Sequence, residues 1–203
     1  MKKKELAVKL SKLEIFKKAN VRLEQYPTDS EIAADCLWKA FMQGDIKNKR
    51  IADFGCGHGV LGIGALLLGA KKINFVDLDK EALMITKQNI KKVDKAKKFK
   101  FALTNSNVKD IKIKTQVVIQ NPPFGVKNTH SDKIFLLKAM QTAKTIYSFH
   151  KLKTFNFINS FTKDNGFKCL LIATYRFPLK KSMWFHIKKV RYVDVGLWKI
   201  TKN

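Results

Sequence analysis

From residue 50 onward, short apolar runs alternate with longer stretches whose apolar residues recur every three or four positions. RIADFG (50–55), KINFVDLD (72–79), KFKFALTN (98–105), TQVVIQ (115–120) and TIYSFH (145–150) have strand length and strand composition. GVLGIGALLLG (59–69), KEALMITKQNIKKV (80–93), SDKIFLLKAMQTA (131–143) and TFNFINSFTKDNG (154–166) have helical spacing, with Ser131 as a cap and Gly166 as a stop. Strands alternating with helices predict a Rossmann-like α/β fold with a doubly wound, mostly parallel sheet. Two further strands, KCLLIATYRF and VRYVDVGLWKI, close the chain and bring the sheet to seven strands. Their link, PLKKSMWFHIKK, is too short for a crossover helix, so an antiparallel hairpin at one sheet edge follows.

Ahead of this alternation, Leu6, Leu10, Leu13 and Phe16 recur at helical spacing, and EQYPTDSEIAADCLWKAFMQG reads as a turn and a second helix. Asp29 or Ser30 caps that second helix and Gly44 ends it. Residues 1–45 are therefore expected as a helical extension packed on a core domain of residues 46–203. A basic arm reaching a substrate's phosphates is the alternative for the first helix.

Charge changes the picture. Lys and Arg number 41 against 16 Asp and Glu, a net +25. Released counterions drive such a surface onto phosphate backbones, which favours nucleic acid over an anionic membrane. Only four of the basic residues are Arg, so a Lys-rich solvated surface is the bland reading. Cys36, Cys56 and Cys169 are odd in number and widely spaced, without a C-x-x-C. Neither a disulfide framework nor a structural zinc site follows, no metal is expected, and a reducing, cytoplasmic compartment fits. The apolar run GIGALLLGA is too short to span a bilayer, and the N-terminus carries Glu5 and Glu14 where a secretory signal would be apolar.

The first strand runs into Asp53-Phe54-Gly55-Cys56-Gly57-His58-Gly59. Glycines permit a tight turn close to a ligand, and the next helix offers unpaired N–H groups. Asp77 ends the second strand, twenty positions after Gly57, where a carboxylate accepts from both hydroxyls of a ribose. Val60 stands where a dinucleotide fingerprint has its third glycine. The D-x-G-x-G-x-G pattern instead resembles the S-adenosyl-L-methionine loop of class I methyltransferases. Asp53 is read as orienting that loop.

The fourth strand ends in Asn121-Pro122-Pro123-Phe124, at the point where the order of a doubly wound sheet reverses. Two prolines fix two φ angles and remove two donors, so the backbone presents carbonyls. The Asn121 side-chain oxygen and the Pro122 carbonyl can then accept both hydrogens of one planar NH₂ group. Its nitrogen becomes pyramidal and its lone pair turns toward a methyl donor, so positioning and electrostatics supply the catalysis. Phe124 can stack on the ring that carries the amine. In isolation the same residues are a proline turn capped by asparagine.

NPPF resembles the motif of methyltransferases that act on amines of adenine, cytosine, guanine or glutamine. LEQYPT (23–28), ADFGCGHGVLGIG (52–64), FVDLDKEAL (75–83), NPPFGVKN (121–128), YSFHK (147–151) and the segment from Phe185-His186 to Lys188-Lys189 together resemble the methyltransferase-like protein 5 family. That resemblance runs from about residue 20 to the end. It implies transfer of methyl from S-adenosyl-L-methionine to N6 of one adenosine in small-subunit ribosomal RNA. It also implies a partner, a small zinc-binding activator protein forming a heterodimer at a free sheet edge. On the same resemblance Gln25 and Thr28 contact the cofactor, Gly55, His58 and Val60 line its methionine side, and Asn105 replaces an acidic contact to its adenine.

Lys127 and Asn128, with His130, lie in a loop able to close over the target base. His150 and Lys151 end the fifth strand, where they can meet RNA phosphate or cap the strand. Trp184, Phe185 and His186 interleave aromatics with lysine and can stack on unpaired bases or bury themselves in the hairpin. Two other readings stand beside this one. A glutamine N5 methyltransferase of protein release factors shares the motif, but Phe124, the short N-terminus and the +25 charge weigh against it. A non-catalytic RNA-binding protein on the same fold would have no need of an intact NPPF and Asp77.

Overall fold

The computed structural model describes residues 1–16, 26–124, 131–179 and 191–203. Helices α1 (Lys3–Leu10) and α2 (Ser30–Met42) precede β1 (Arg50–Phe54), α3 (Val60–Leu67), β2 (Lys72–Asp77), α4 (Lys80–Val93) and β3 (Phe101–Asn105). Next come β4 (Val117–Gln120), α5 (Ser131–Thr142), β5 (Thr145–Lys151), α6 (Phe155–Asp164), β6 (Phe167–Leu179) and β7 (Arg191–Lys202). The strands form one sheet in the order β3-β2-β1-β4-β5-β7-β6. Strands β1 to β5 pair in parallel, and β7 runs antiparallel to both β5 and β6. This is the Rossmann-like, seven-stranded, mostly parallel sheet that the alternation predicts. Within the closing pair, β7 takes the inner place and leaves β6 at the edge.

Strand β1 sits between β2 and β4, so the chain order reverses there and a crevice opens beyond the strand ends. All four residues of β4 are buried, as a parallel strand covered on both faces requires. One face of the sheet packs a core with Leu6, Leu10, Leu37, Ile63, Phe75 and Ile90, bringing α1, α2, α3 and α4 together. The other packs Phe54, Val118, Leu136, Ile158 and Trp198, under α5 and α6.

The helix ends show where local chemistry decides. Asp29, not Ser30, caps α2, accepting from the N–H groups of Glu31 and Ile32 at 2.8 and 3.3 Å. Gly44 follows the end of α2 at φ +75°, where a side chain would be strained. Ser131, expected as the cap of α5, is already its first residue. Helix α1 stops at Leu10, short of the full leucine series, yet Leu13 stays buried beyond it. The helix is pinned by Asp35 of α2, which accepts from Lys3 at 3.0 Å and from the Tyr175 hydroxyl of β6 at 2.7 Å. No described helix is long and apolar enough to cross a membrane.

Candidate active site

The glycine loop after β1 turns through positive φ at Gly57 (+55°) and Gly59 (+87°). A Cβ on Gly59 would lie 2.8 Å from Thr86 Cγ2, so no side chain fits there. The Gly57 N–H donates to Asp77 Oδ2 at 2.8 Å, and the Asp79 N–H to Asp77 Oδ1 at 2.9 Å. Backbone donors from Gly57, Leu78 and Asp79 thus hold the Asp77 carboxylate. Burial raises the Asp77 pKa, and the backbone donors from Asp79 and Gly57 oppose that rise.

Asp53 lies beneath the loop, and its Oδ2 accepts from the Gly62 N–H at 2.8 Å. Burial pushes its pKa up to about 7, with the Gly62 donor opposing and the Asp77 charge adding to the rise. The carboxyl ties β1 to the first turn of α3. Burial also lowers the His58 pKa to about 4, so its imidazole is neutral near pH 7 and offers no cation.

At the end of β4, the Asn121 Nδ2 donates to the Thr28 hydroxyl at 2.9 Å. The Oδ1 of the same amide is buried and has no hydrogen-bond partner among the described residues. A buried acceptor in that state costs roughly 1–3 kcal/mol unless a ligand supplies the donor.

These groups share one cavity of ≈ 240 Å³, lined by Thr28, Asp53, Gly55, Gly57, His58, Val60, Asp77, Asn121 and Pro123 among others. Pro122, between Asn121 and Pro123, is buried. The cavity also takes Phe16, Tyr26, Asn107, Val108 and Phe135, which the sequence reading did not assign to a site. Phe16 belongs to the leucine series and reads as core. Asn107 and Val108 lie just past the end of β3, two and three positions beyond Asn105.

Four expectations meet a different geometry. Asn105 does not line the cavity, because its Nδ2 donates to the backbone carbonyls of Asp77 at 3.2 Å and Leu78 at 2.8 Å. Asn107 stands at the cavity wall in its place. Phe124 is not a lining residue either; its ring packs edge-to-face on Phe177 at 6.0 Å, with the Lys151 ammonium 6.0 Å from its centroid. His150 presents no charge to a phosphate. It is enclosed against Trp198, its Nε2 lies 2.7 Å from Ser148 Oγ, and burial lowers its pKa to about 3. The Leu6 series does not continue as helix to Phe16, which is instead carried to the cavity by the turn after α1. Gln25, Lys127, Asn128, His130, Trp184, Phe185 and His186 lie outside the described residues.

Full-length likeness settles the family. The chain is 36% identical to the zebrafish protein named rRNA N(6)-adenosine-methyltransferase METTL5, over 99% of each chain. It belongs to the METTL5 family. Among solved structures, the Pyrococcus horikoshii protein PH1948, described as a candidate RNA methyltransferase, superimposes with a TM-score of 0.89 at 39% identity over 98% of each chain. The magnesium protoporphyrin IX methyltransferase of Synechocystis, solved with S-adenosylmethionine bound, matches with a TM-score of 0.65 at 15% identity. It covers 84% of this chain and 78% of its own, and at that identity shares the fold alone. The family described as ribosomal protein L11 methyltransferase (PrmA) matches residues 33–122, from α2 through the glycine loop to Pro122. This METTL5-family chain is an enzyme, a methyltransferase.

Proposed function

We propose that the protein transfers a methyl group from S-adenosyl-L-methionine to N6 of an adenosine in ribosomal RNA, with small-subunit rRNA as the substrate. The observation that carries this reading is the Asn121 carboxamide, whose nitrogen is held by Thr28 while its buried oxygen lacks a donor. An exocyclic NH₂ supplies the donor that this oxygen lacks.

The residues present suit the cofactor. Asp77 would accept from the ribose hydroxyls, and the glycine loop gives a close approach without a pyrophosphate cradle. Asn107 and Val108 would hold its adenine, and neutral His58 with Val60 and Gly55 would hold the methionine end; all five line the cavity. When bound, the cofactor supplies an electrophilic methyl on a sulfonium. Everything else falls to the chain. Asn121 Oδ1 and the Pro122 carbonyl accept from the two N6 hydrogens, localise the lone pair on nitrogen and stabilise the positive charge that grows there. The proton leaves N6 to the Pro122 carbonyl or to solvent. Adenosine enters flipped out or from a single strand, because N6 is occupied in a paired helix. Lys151 lies beside the Phe124 ring and would meet the backbone of that strand.

The net charge of +25 supports a polyanionic substrate over a release factor. The outer edge of β3, which pairs only with β2 among the described residues, suits strand addition by a small activator protein. Three free cysteines suit a reducing cytoplasm. The test is methylation of rRNA from cells lacking this modification, with nucleoside mass spectrometry before and after, alone and with a candidate activator. N6-methyladenosine at one mapped position is expected. Label appearing in release-factor glutamine, with none in rRNA, overturns the reading.

A further inference from the structure

Two residues of α4, Thr86 and Asn89, are polar, fully buried and three positions apart on the face that meets the glycine loop. Apolar side chains would be the ordinary choice in such a face. Thr86 Oγ1 donates to the Gly57 carbonyl at 2.8 Å, and Asn89 Nδ2 donates to the His58 carbonyl at 2.9 Å. Asn89 does more than brace the loop. Its Oδ1 accepts from the Glu14 N–H at 2.8 Å, and its Nδ2 also donates to the Glu14 carbonyl at 2.9 Å. One carboxamide therefore pairs both backbone groups of Glu14, as a neighbouring strand would, and holds the glycine loop with its remaining hydrogen. The Lys92–Glu14 ion pair at 3.7 Å is exposed on both sides and adds little.

Two residues further on, Phe16 lines the cavity. Its ring stands edge-on to His58 at 6.2 Å and lies 3.6 Å from where a Gly57 Cβ would be. The Gly57 N–H in turn holds Asp77. The turn after α1 thus ends as a strap across the loop that faces the cofactor, and Asn89 is what fastens it.

We propose that this strap is part of the cofactor site: Phe16 is a wall against S-adenosyl-L-methionine, and Asn89 is the positioning residue that seats it. The proposal rests on the cofactor assigned under Proposed function. Ordering the strap in the free protein spares the cofactor that entropic cost, so affinity depends on the latch as well as on the ring.

The experiment is a double-mutant cycle on the full chain, with Phe16→Ala, Asn89→Ala and the pair, read by calorimetric titration of S-adenosylhomocysteine. Each single change is expected to weaken binding about tenfold, the loss of a partly buried aromatic contact. The pair should cost little more than either alone, because an unlatched strap no longer presents the ring. Hydrogen exchange at the Glu14 amide should quicken in Asn89→Ala and stay slow in Phe16→Ala. Full additivity, or unchanged affinity in Phe16→Ala, overturns the proposal while the cofactor assignment stands. Wild type that does not bind S-adenosylhomocysteine overturns both. Phe16→Ala leaves the latch and α1 intact, so it tests the strap even if Asn89→Ala does not fold.

Discussion

The Thr28 hydroxyl accepts from the Asn121 carboxamide at 2.9 Å, linking the residue before the α2 cap to the end of β4. The two lie 93 positions apart in the chain. With the amide nitrogen tied down, its oxygen is committed as an acceptor. Thr28→Val removes that tie at nearly constant volume and lets the amide rotate. Turnover should fall about tenfold, the worth of one well-placed hydrogen bond, while Thr28→Ser restores it. Asn121→Ala should cost about a thousandfold in kcat with cofactor affinity nearly intact. Single-turnover kinetics beside equilibrium titration separate the two effects. A Thr28→Val loss confined to cofactor affinity would assign Thr28 to binding and not to orientation.

Asp77 holds the glycine loop through the Gly57 N–H, and on the proposed function its carboxylate accepts from the ribose. Asp77→Ala should weaken cofactor binding about a hundredfold, since hydrogen bonds to a charged acceptor are worth roughly 1.5–3 kcal/mol. Acid should do the same to the wild type. Burial raises this carboxyl's pKa, so protonation removes the acceptor at a higher pH than for a free carboxylate. Cofactor affinity is expected to drop as pH falls through that raised value. Titrations across the acid range check it; affinity that is flat until the ordinary carboxylate range contradicts the role.

The sheet was legible because its signals are local and strong. Helix α4 runs from Lys80 to Val93, the same span that its apolar spacing marks out. The placement of Asn121 and Asp77 at strand ends beside the switch point was legible, because the alternation of strands and helices fixes it. Phe16 was not: a phenylalanine one turn after Leu13 reads as more core, and only the early stop of α1 sends it to the cavity. Asn89 was hidden for the opposite reason, since an asparagine in a basic helix reads as surface. His150 shows the limit of topology. Its strand end lies on the ligand side of the sheet, but a seven-residue β5 and its pairing with β7 put the ring under Trp198.

Two carboxyls, the half-buried Asp35 and the buried Asp53, should give opposite pH signatures in stability. For Asp35, burial acts to raise the pKa, but hydrogen bonds from Lys39, Tyr175 and Lys3 overcome it and hold the group at about 2. A folded pKa below the unfolded value means stability present above the ordinary carboxylate range and lost as pH falls from about 4 toward 2. For Asp53 the folded value is raised to about 7. Its contribution is present in acid and lost as pH rises from about 4 through 7. Asp35→Asn should therefore be less stable than wild type at pH 6, by about 1–2 kcal/mol, with the gap closing by pH 2. Asp53→Asn keeps an acceptor for Gly62, and its melting temperature relative to wild type should climb between pH 5 and 8. Thermal unfolding of the three proteins across that range decides; parallel profiles would mean that neither carboxyl titrates as its surroundings dictate.

The charge makes the last prediction quantitative. With a net +25, binding to rRNA fragments should be dominated by released counterions, so log affinity falls linearly with log salt. If about six phosphates are neutralised, affinity should drop about a thousandfold between 50 and 200 mM salt. Lys151 sits beside the NPPF ring, at the end of β5. Lys151→Gln should weaken every RNA similarly and reduce the salt slope by about one, as a phosphate contact does. A base-reading residue would instead alter preference among sequences and leave the slope alone. Fluorescence anisotropy with one target-bearing fragment and one scrambled fragment, each at four salt concentrations, distinguishes these outcomes. An unchanged slope in Lys151→Gln removes that lysine from the RNA path, and a flat slope in the wild type removes RNA phosphate as the partner of this basic surface.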